Sequence, residues 1–218
     1  DNFEQALITL GYDNVADDYV LTSNISNVSI LDVGYESILD LTGIEDFTAL
    51  TELYCRNNQL TSLDVSNNTA LTLLSCRNNN NLTSLSDLSQ NTALTTLYCQ
   101  STKIGSLDLS TNTALIYLQC TSAQLTILDV RNGNNTNLSF FKAGNNPNLA
   151  CIDVDDAAYS NANWTTANYN FDSASSFSED CYPTPGCTDP LACNYDPAAT
   201  VDDGSCNFLF GCTDATAC

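Results

Sequence analysis

The sequence predicts a mainly β solenoid with a short helical N-terminal cap, a disulfide-stapled C-terminal cap and a small loop-rich module of cysteine and aspartate. Three observations carry this expectation. A segment of near-constant length recurs along the middle of the chain, apolar residues alternate with polar ones inside it, and seven of the 11 cysteines lie at or beyond residue 151.

The repeats come first. LTELYCRNNQLTSLDVSNNTA (50–70), LTLLSCRNNNNLTSLSDLSQNTA (71–93), LTTLYCQSTKIGSLDLSTNTA (94–114) and LIYLQCTSAQLTILDVRNGNNTN (115–137) are 21, 23, 21 and 23 residues long, and LSFFKAGNNPNLACIDV (138–154) is a truncated fifth. Leu53 and Cys55 flank Tyr54, so a period of two turns them inward on a strand. Leu63 and Val65 flank Asp64 in the same way, which predicts a second short strand per coil. One coil buries too little to be stable alone, whereas stacked coils share a continuous core. Asn-rich turns suit backbone positions with positive φ. The pattern LxxLxCxxNxL followed by LDV resembles the leucine-rich-repeat family over roughly residues 28–154.

Capping segments follow from the need to cover terminal coils. Residues 1–48 are read as N-terminal cap and first coil. DNFEQALITLGYD predicts an amphipathic helix with Phe3, Ala6, Leu7 and Leu10 on one face, 20–33 supplies a strand, and 38–50 leads into the first full repeat. Residues 49–154 are the repeats. The C-terminal cap, 155–182, abandons the pattern and brings Trp164, Tyr159, Tyr169, Phe171 and Phe177 over the last coil. Cys151 falls at an outward position and is expected to pair with Cys181. YPTP makes 183–185 a stiff linker. Residues 186–210 form a Cys/Asp-rich repeat, and 211–218 begin a second.

The cysteine column Cys55, Cys76, Cys99, Cys120 has two readings, a metal or disulfide ladder and a row of small buried hydrophobes. The second is preferred, because free cysteine behaves as a buried apolar residue and in-register neighbours have poor geometry for bridging. The five tail cysteines, Cys187, Cys193, Cys206, Cys212 and Cys218, need staples because the module has little core, and their connectivity stays open. Asp189, Asn194, Asp196, Asp202 and Asp203 offer hard oxygen ligands that suit Ca2+, with turn capping as the alternative.

Composition bounds the function. The chain carries 26 acidic and 5 basic residues and a formal charge of −21, which excludes phosphate-backbone binding. No apolar run approaches a membrane span. There is no His, so the commonest general base is missing. Acidic pairs for glycoside chemistry abound but repeat instead of converging. Asp32, Asp64, Asp108, Asp129 and Asp153, continued by Asp87, read as a column on the LDV strands that caps turns. The absent initiator Met is read as a processed or trimmed start.

The outward residues of the LxxLxC strands form three rows: Glu52, Leu73, Thr96, Tyr117, Phe140; then Tyr54, Ser75, Tyr98, Gln119, Lys142; then Arg56, Arg77, Gln100, Thr121, Gly144. Three of the five basic residues fall here beside four aromatics, and both types anchor binding sites. The candidate ligand-binding face is Tyr54, Arg56, Arg77, Tyr98, Gln100, Tyr117, Gln119, Phe140 and Lys142.

The opening DNFEQAL…DDYVLTSNIS, the phrase LTSLDVSNNTALT and the end YSNANWT…SFSEDC resemble secreted, internalin-like leucine-rich-repeat proteins of Bacteroidota. The GCTD…NYDP…DDGSC tail resembles tandem repeats on such proteins and is distantly similar to thrombospondin type 3 repeats. The resemblance implies export by the type IX route, an extracellular or outer-surface location, and recognition or adhesion. The sorting domain it would imply is not in this stretch. Asp172-Ser173-Ala174 matches an O-glycan acceptor pattern, so Ser173 is a candidate glycosylation site. The expectation is a non-enzymatic module that binds protein or glycan through the strand face. The alternative is a structural subunit that assembles with copies of itself into a surface layer or filament, and a glycan-active enzyme is a third reading.

Overall fold

The computed structural model describes residues 1–165 and 171–208. They divide into two units, Asp1–Glu179 and Asp180–Cys218. The first is a leucine-rich-repeat solenoid of parallel strands.

Helix α1 (Asn2–Thr9) opens it. Asp1 accepts a hydrogen bond from the Glu4 backbone N–H and Glu4 reaches back to the Asp1 backbone, closing a capping box. Phe3, Ala6 and Leu7 enter the core, but Leu10 does not. It follows the helix as its C-cap, one turn beyond the face that packs. The segment expected to be a strand from residue 20 first makes a helical turn, α2 (Thr22–Ile25), and buries Ile25.

Each coil then contributes short strands: β1 (Ile30–Asp32), β2 (Glu52–Tyr54), β3 (Ser62–Leu63), β4 (Leu73–Ser75), β5 (Ser84–Leu85), β6 (Thr96–Tyr98), β7 (Ser106–Asp108), β8 (Tyr117–Gln119), β9 (Ile127–Asp129), β10 (Phe140–Lys142), β11 (Cys151–Asp153) and β12 (Ser176–Ser178). The first kind forms one parallel sheet, β1-β2-β4-β6-β8-β10. The second kind forms two pieces, β3-β5 and β7-β9-β11-β12. The break falls at the repeat with the extra residue before Asp87. There Ser86 turns its hydroxyl to the Val65 N–H at 3.0 Å and Leu88, not Leu85, takes the core position.

Leu31, Leu53, Leu74, Leu97 and Leu118 stack in register between the sheets and are fully buried. Cys55, Cys76, Cys99 and Cys120 are buried beside them as free thiols. Cys55, Cys76 and Cys120 point their Sγ at the strand carbonyl of the next coil, 3.5–3.6 Å away. Burial pushes all four thiols up, Cys76 and Cys120 to about 12. The row is therefore one of small hydrophobes.

Asparagine fastens coil to coil. Asn57, Asn78 and Asn145 take positive φ, as the turns required. The residue after each, Asn58, Asn79 or Asn146, is buried. Asn79 donates through Nδ2 to the carbonyls of Cys55 and Cys76 at 3.0 and 2.8 Å, and Asn146 does the same for Cys120 and Ala143. A second ladder of Asn68, Asn91 and Asn112 joins the turns on the other side. Each such amide replaces backbone partners that an irregular, buried turn lacks.

The aromatic cap forms as expected where it is described. Trp164 stacks on Phe141 at 4.4 Å and meets Phe177 edge-on at 5.4 Å, with Phe171 against Phe177. Tyr159 lies on helix α3 (Ala157–Asn163) and its hydroxyl donates to the Thr136 carbonyl. Tyr169 lies outside the described residues.

In the second unit β13 (Pro185–Gly186) pairs with β14 (Val201–Asp202), and Cys187 bonds to Cys206. Cys151, Cys181 and Cys193 are also oxidised. Cys212, Cys218 and the start of the second tail repeat at 211–218 lie outside the described residues.

Candidate functional site

The six-stranded sheet presents the three outward rows in the predicted register. Glu52, Leu73, Thr96, Tyr117 and Phe140 are mutual neighbours, as are Tyr54, Ser75, Tyr98, Gln119 and Lys142. Ser75 is buried between its larger neighbours. Six of the nine candidate residues, Tyr54, Arg56, Arg77, Tyr98, Tyr117 and Gln119, line one open depression of about 470 Å³ together with Asp32 and Ser75. Gln100, Phe140 and Lys142 lie outside its lining, and Gln100 sits in the third row.

The aromatic residues form a continuous ladder. Tyr98 and Tyr117 approach at 5.0 Å with tilted planes, and Tyr117 stacks on Phe140 at 4.0 Å. Burial pushes the Tyr117 phenol up, assisted by Tyr98. Lys142 places its ammonium 4.9 Å over Phe140, a cation–π contact.

Asp32 is a correction. Its sequence places it in the LDV column, but β1 pairs with β2, which sets Asp32 beside Tyr54 in the outward row. ILDV (30–33) occupies the place of ELYC (52–55), so its resemblance to LDV is coincidental. The alignment of Leu31 with Leu53 was the signal. The turn-capping role still holds for Asp32, which accepts the Gly34 N–H at 3.0 Å, and Asp64, Asp87, Asp108 and Asp129 each accept the N–H two residues on, at 2.8–2.9 Å. Asp153 is buried, with Arg131 Nη1 3.8 Å away.

At one end the face is satisfied internally. Arg56 forms a two-pronged pair with Asp32 at 3.0 and 3.1 Å and lies 5.7 and 5.5 Å from the Tyr35 and Tyr54 rings. Hydrogen bonding to Asp32 raises the Arg56 guanidinium further. Tyr54 donates to Glu52 Oε2 at 2.7 Å, which with burial pushes its phenol up to about 12.

Each tail candidate is engaged in its own turn. Asp189, Asp196, Asp202 and Asp203 each cap the N–H two residues on, and Asn194 bridges to Asn207 and Ser205. Among the described residues, carboxylates also gather at Glu4, Asp13 and Asp17, where Glu4 Oε1 accepts the backbone N–H groups of Asp17 and Asp18. Ser173 is exposed. The adjoining Asp172 accepts the N–H groups of Asn145 and Asn146 at 2.8 and 2.6 Å.

Parallel coils, inward Leu columns and asparagine ladders define a leucine-rich-repeat solenoid, and the family described as "Leucine Rich repeats (2 copies)" matches residues 48–90. In sequence the chain is similar to internalin J of Listeria monocytogenes, 38% identical over 68 residues, which is 31% of this chain and 7% of internalin J. Its fold is similar to the solved functional domain of that bacterium's InlJ, described as including a cysteine ladder, with 32% identity and a TM-score of 0.55 over 71% of this chain and 36% of that one. An internalin of the same species, InlF, is 21% identical with a TM-score of 0.37 over 80% of this chain and 66% of that one. The chain thus spans a small fraction of internalin J and about a third of its solved domain. Among the described residues no helix is long and apolar enough to cross a membrane.

Proposed function

We propose that the protein is an extracellular, non-enzymatic recognition or adhesion module that binds its ligand through the six-stranded face. The carrying observation is the meeting of Arg77, Tyr98, Tyr117 and Gln119 in one open depression on a chain otherwise dominated by acids. Aromatic and Arg side chains give the most binding energy per residue, and a parallel sheet holds them without loop ordering costs. The likeness to internalins supports a binding role. The oxidised cysteines favour an oxidising, extracellular location.

The same reading takes Ca2+ in the tail through side-chain oxygens of Asp189, Asn194, Asp196, Asp202 and Asp203, a Cys151–Cys181 bond, an O-glycan on Ser173, and Bacteroidota type IX export. Calorimetric titration with calcium and peptide mapping by mass spectrometry test the first three.

The direct test immobilises the whole chain against a panel of extracellular-matrix proteins and glycans. At least one ligand is expected to bind wild type and to lose roughly tenfold or more on Tyr98→Ala, with circular dichroism unchanged. A ligand that binds wild type and Tyr98→Ala, Tyr117→Ala equally overturns the assignment of the face. Polymerisation without ligand favours the self-assembling subunit.

A further inference from the structure

The register supplies a template for what the face binds. Arg56 stands one coil after Asp32 and pairs with it through both prongs. Arg77 is the next residue in the same row, and the residue corresponding to Asp32 is now Tyr54. No carboxylate replaces it: among the described residues the arginine ion pairs are those of Arg56 and Arg131. Arg77 Nε is buried with no hydrogen-bond partner in the protein. Gln100 Oε1 and Thr121 Oγ1, the next two positions of the row, are also without partners. A guanidinium with no acidic partner among the described residues, on a chain of 26 acidic residues and in the lining of the depression, suits a planar anion, and its bidentate fork selects carboxylate geometry.

Resting on the proposed role of this face, we infer that its ligand is a carboxylate-bearing glycan, held by Arg77 through the carboxylate. The Tyr98 ring, on its Ser75 side away from Tyr117, stacks against the sugar, and Gln119 stands beside it as a hydroxyl partner. The size of the strip favours a linear chain of sugars. The depression of about 470 Å³ lies in the range of roughly 300–1,000 Å³ typical of small-ligand sites. The net charge of −21 opposes a long polyanion, so a chain with few carboxylates is preferred, and binding should strengthen as added salt screens the repulsion.

The test is a glycan array of uronate- and nonulosonate-containing oligosaccharides, each printed beside its carboxyl-reduced form, with neutral glycans and an acidic peptide of equal charge. Wild type is expected to bind carboxylated members and to bind the reduced partners roughly 10- to 100-fold more weakly. Arg77→Gln should lose the same factor on the carboxylated member and nothing on the reduced one, with Arg77→Lys recovering part of it. Equal binding to both forms, or capture of the acidic peptide in place of the glycans, overturns the inference. Neutral glycans bound through Tyr98 but independently of Arg77 would overturn the carboxylate alone and leave the face standing. Insensitivity to both Arg77 and Tyr98 would remove the face as well.

Discussion

Cysteine does opposite work in the repeats and in the tail. In the solenoid, Cys55, Cys76, Cys99 and Cys120 are buried free thiols inside a continuous leucine core. In the tail, Cys187 and Ala192 are the only buried apolar residues among those described, Leu191 is 83% exposed, and the Cys187–Cys206 bond holds the turns together. The body is stabilised by removing apolar surface from water and by amide ladders. The tail has too little surface to remove and relies on restricting its unfolded chain. A residue's role thus follows from how much core its surroundings can offer.

Four expectations sharpen that contrast. The largest effect is in the body: Leu118→Ala should cost about 2–5 kcal/mol in chemical denaturation, through lost transfer energy and a cavity that the rigid stack cannot collapse. Reduction with a phosphine should remove about 3 kcal/mol from the tail, whose Cys187–Cys206 loop has a sequence separation of 19. Hydrogen exchange should then quicken at 185–207 and stay unchanged at 53–120. Body collapse on reduction would contradict the division.

Asn79→Ala comes third. It removes two donors to buried carbonyls and should cost about 1–3 kcal/mol in denaturation. The smallest effect per group is alkaline. Burial raises the thiols above their unfolded value, to about 12 for Cys76 and Cys120. Their contribution is therefore complete below the unfolded value of about 8.5 and declines as pH rises from there toward 12. Each thiol should account for about 1 kcal/mol lost by pH 9.5. A flat melting temperature between pH 8 and 10.5, or rapid reaction of native protein with a thiol reagent, would break the account.

The sequence made the local part of this legible. Alternation fixes which side chains of a three-residue strand face out, so the rows through Tyr117 and Tyr98 emerged in register. The turn caps at Asp64 and Asp108 are equally local. What escaped depends on neighbouring coils. Asn79 looked like another turn residue until the Cys55 carbonyl lay beneath it. Asp32 imitated the LDV motif while stacking against Tyr54. Leu10 continued a helical pattern beyond the helix, and one extra residue before Asp87 split the second sheet. The lack of an acidic partner for Arg77 was likewise invisible, because it is defined by what the preceding coil does not provide.

The most direct test of the strand face as the recognition site is hydrogen exchange of the whole chain, saturated with its tightest partner from the glycan and matrix-protein panel. The account predicts slowed exchange at 75–78, 96–100 and 117–121, with 106–110, 127–130 and the tail unchanged. Protection confined to 185–207 or to the opposite strands would contradict it.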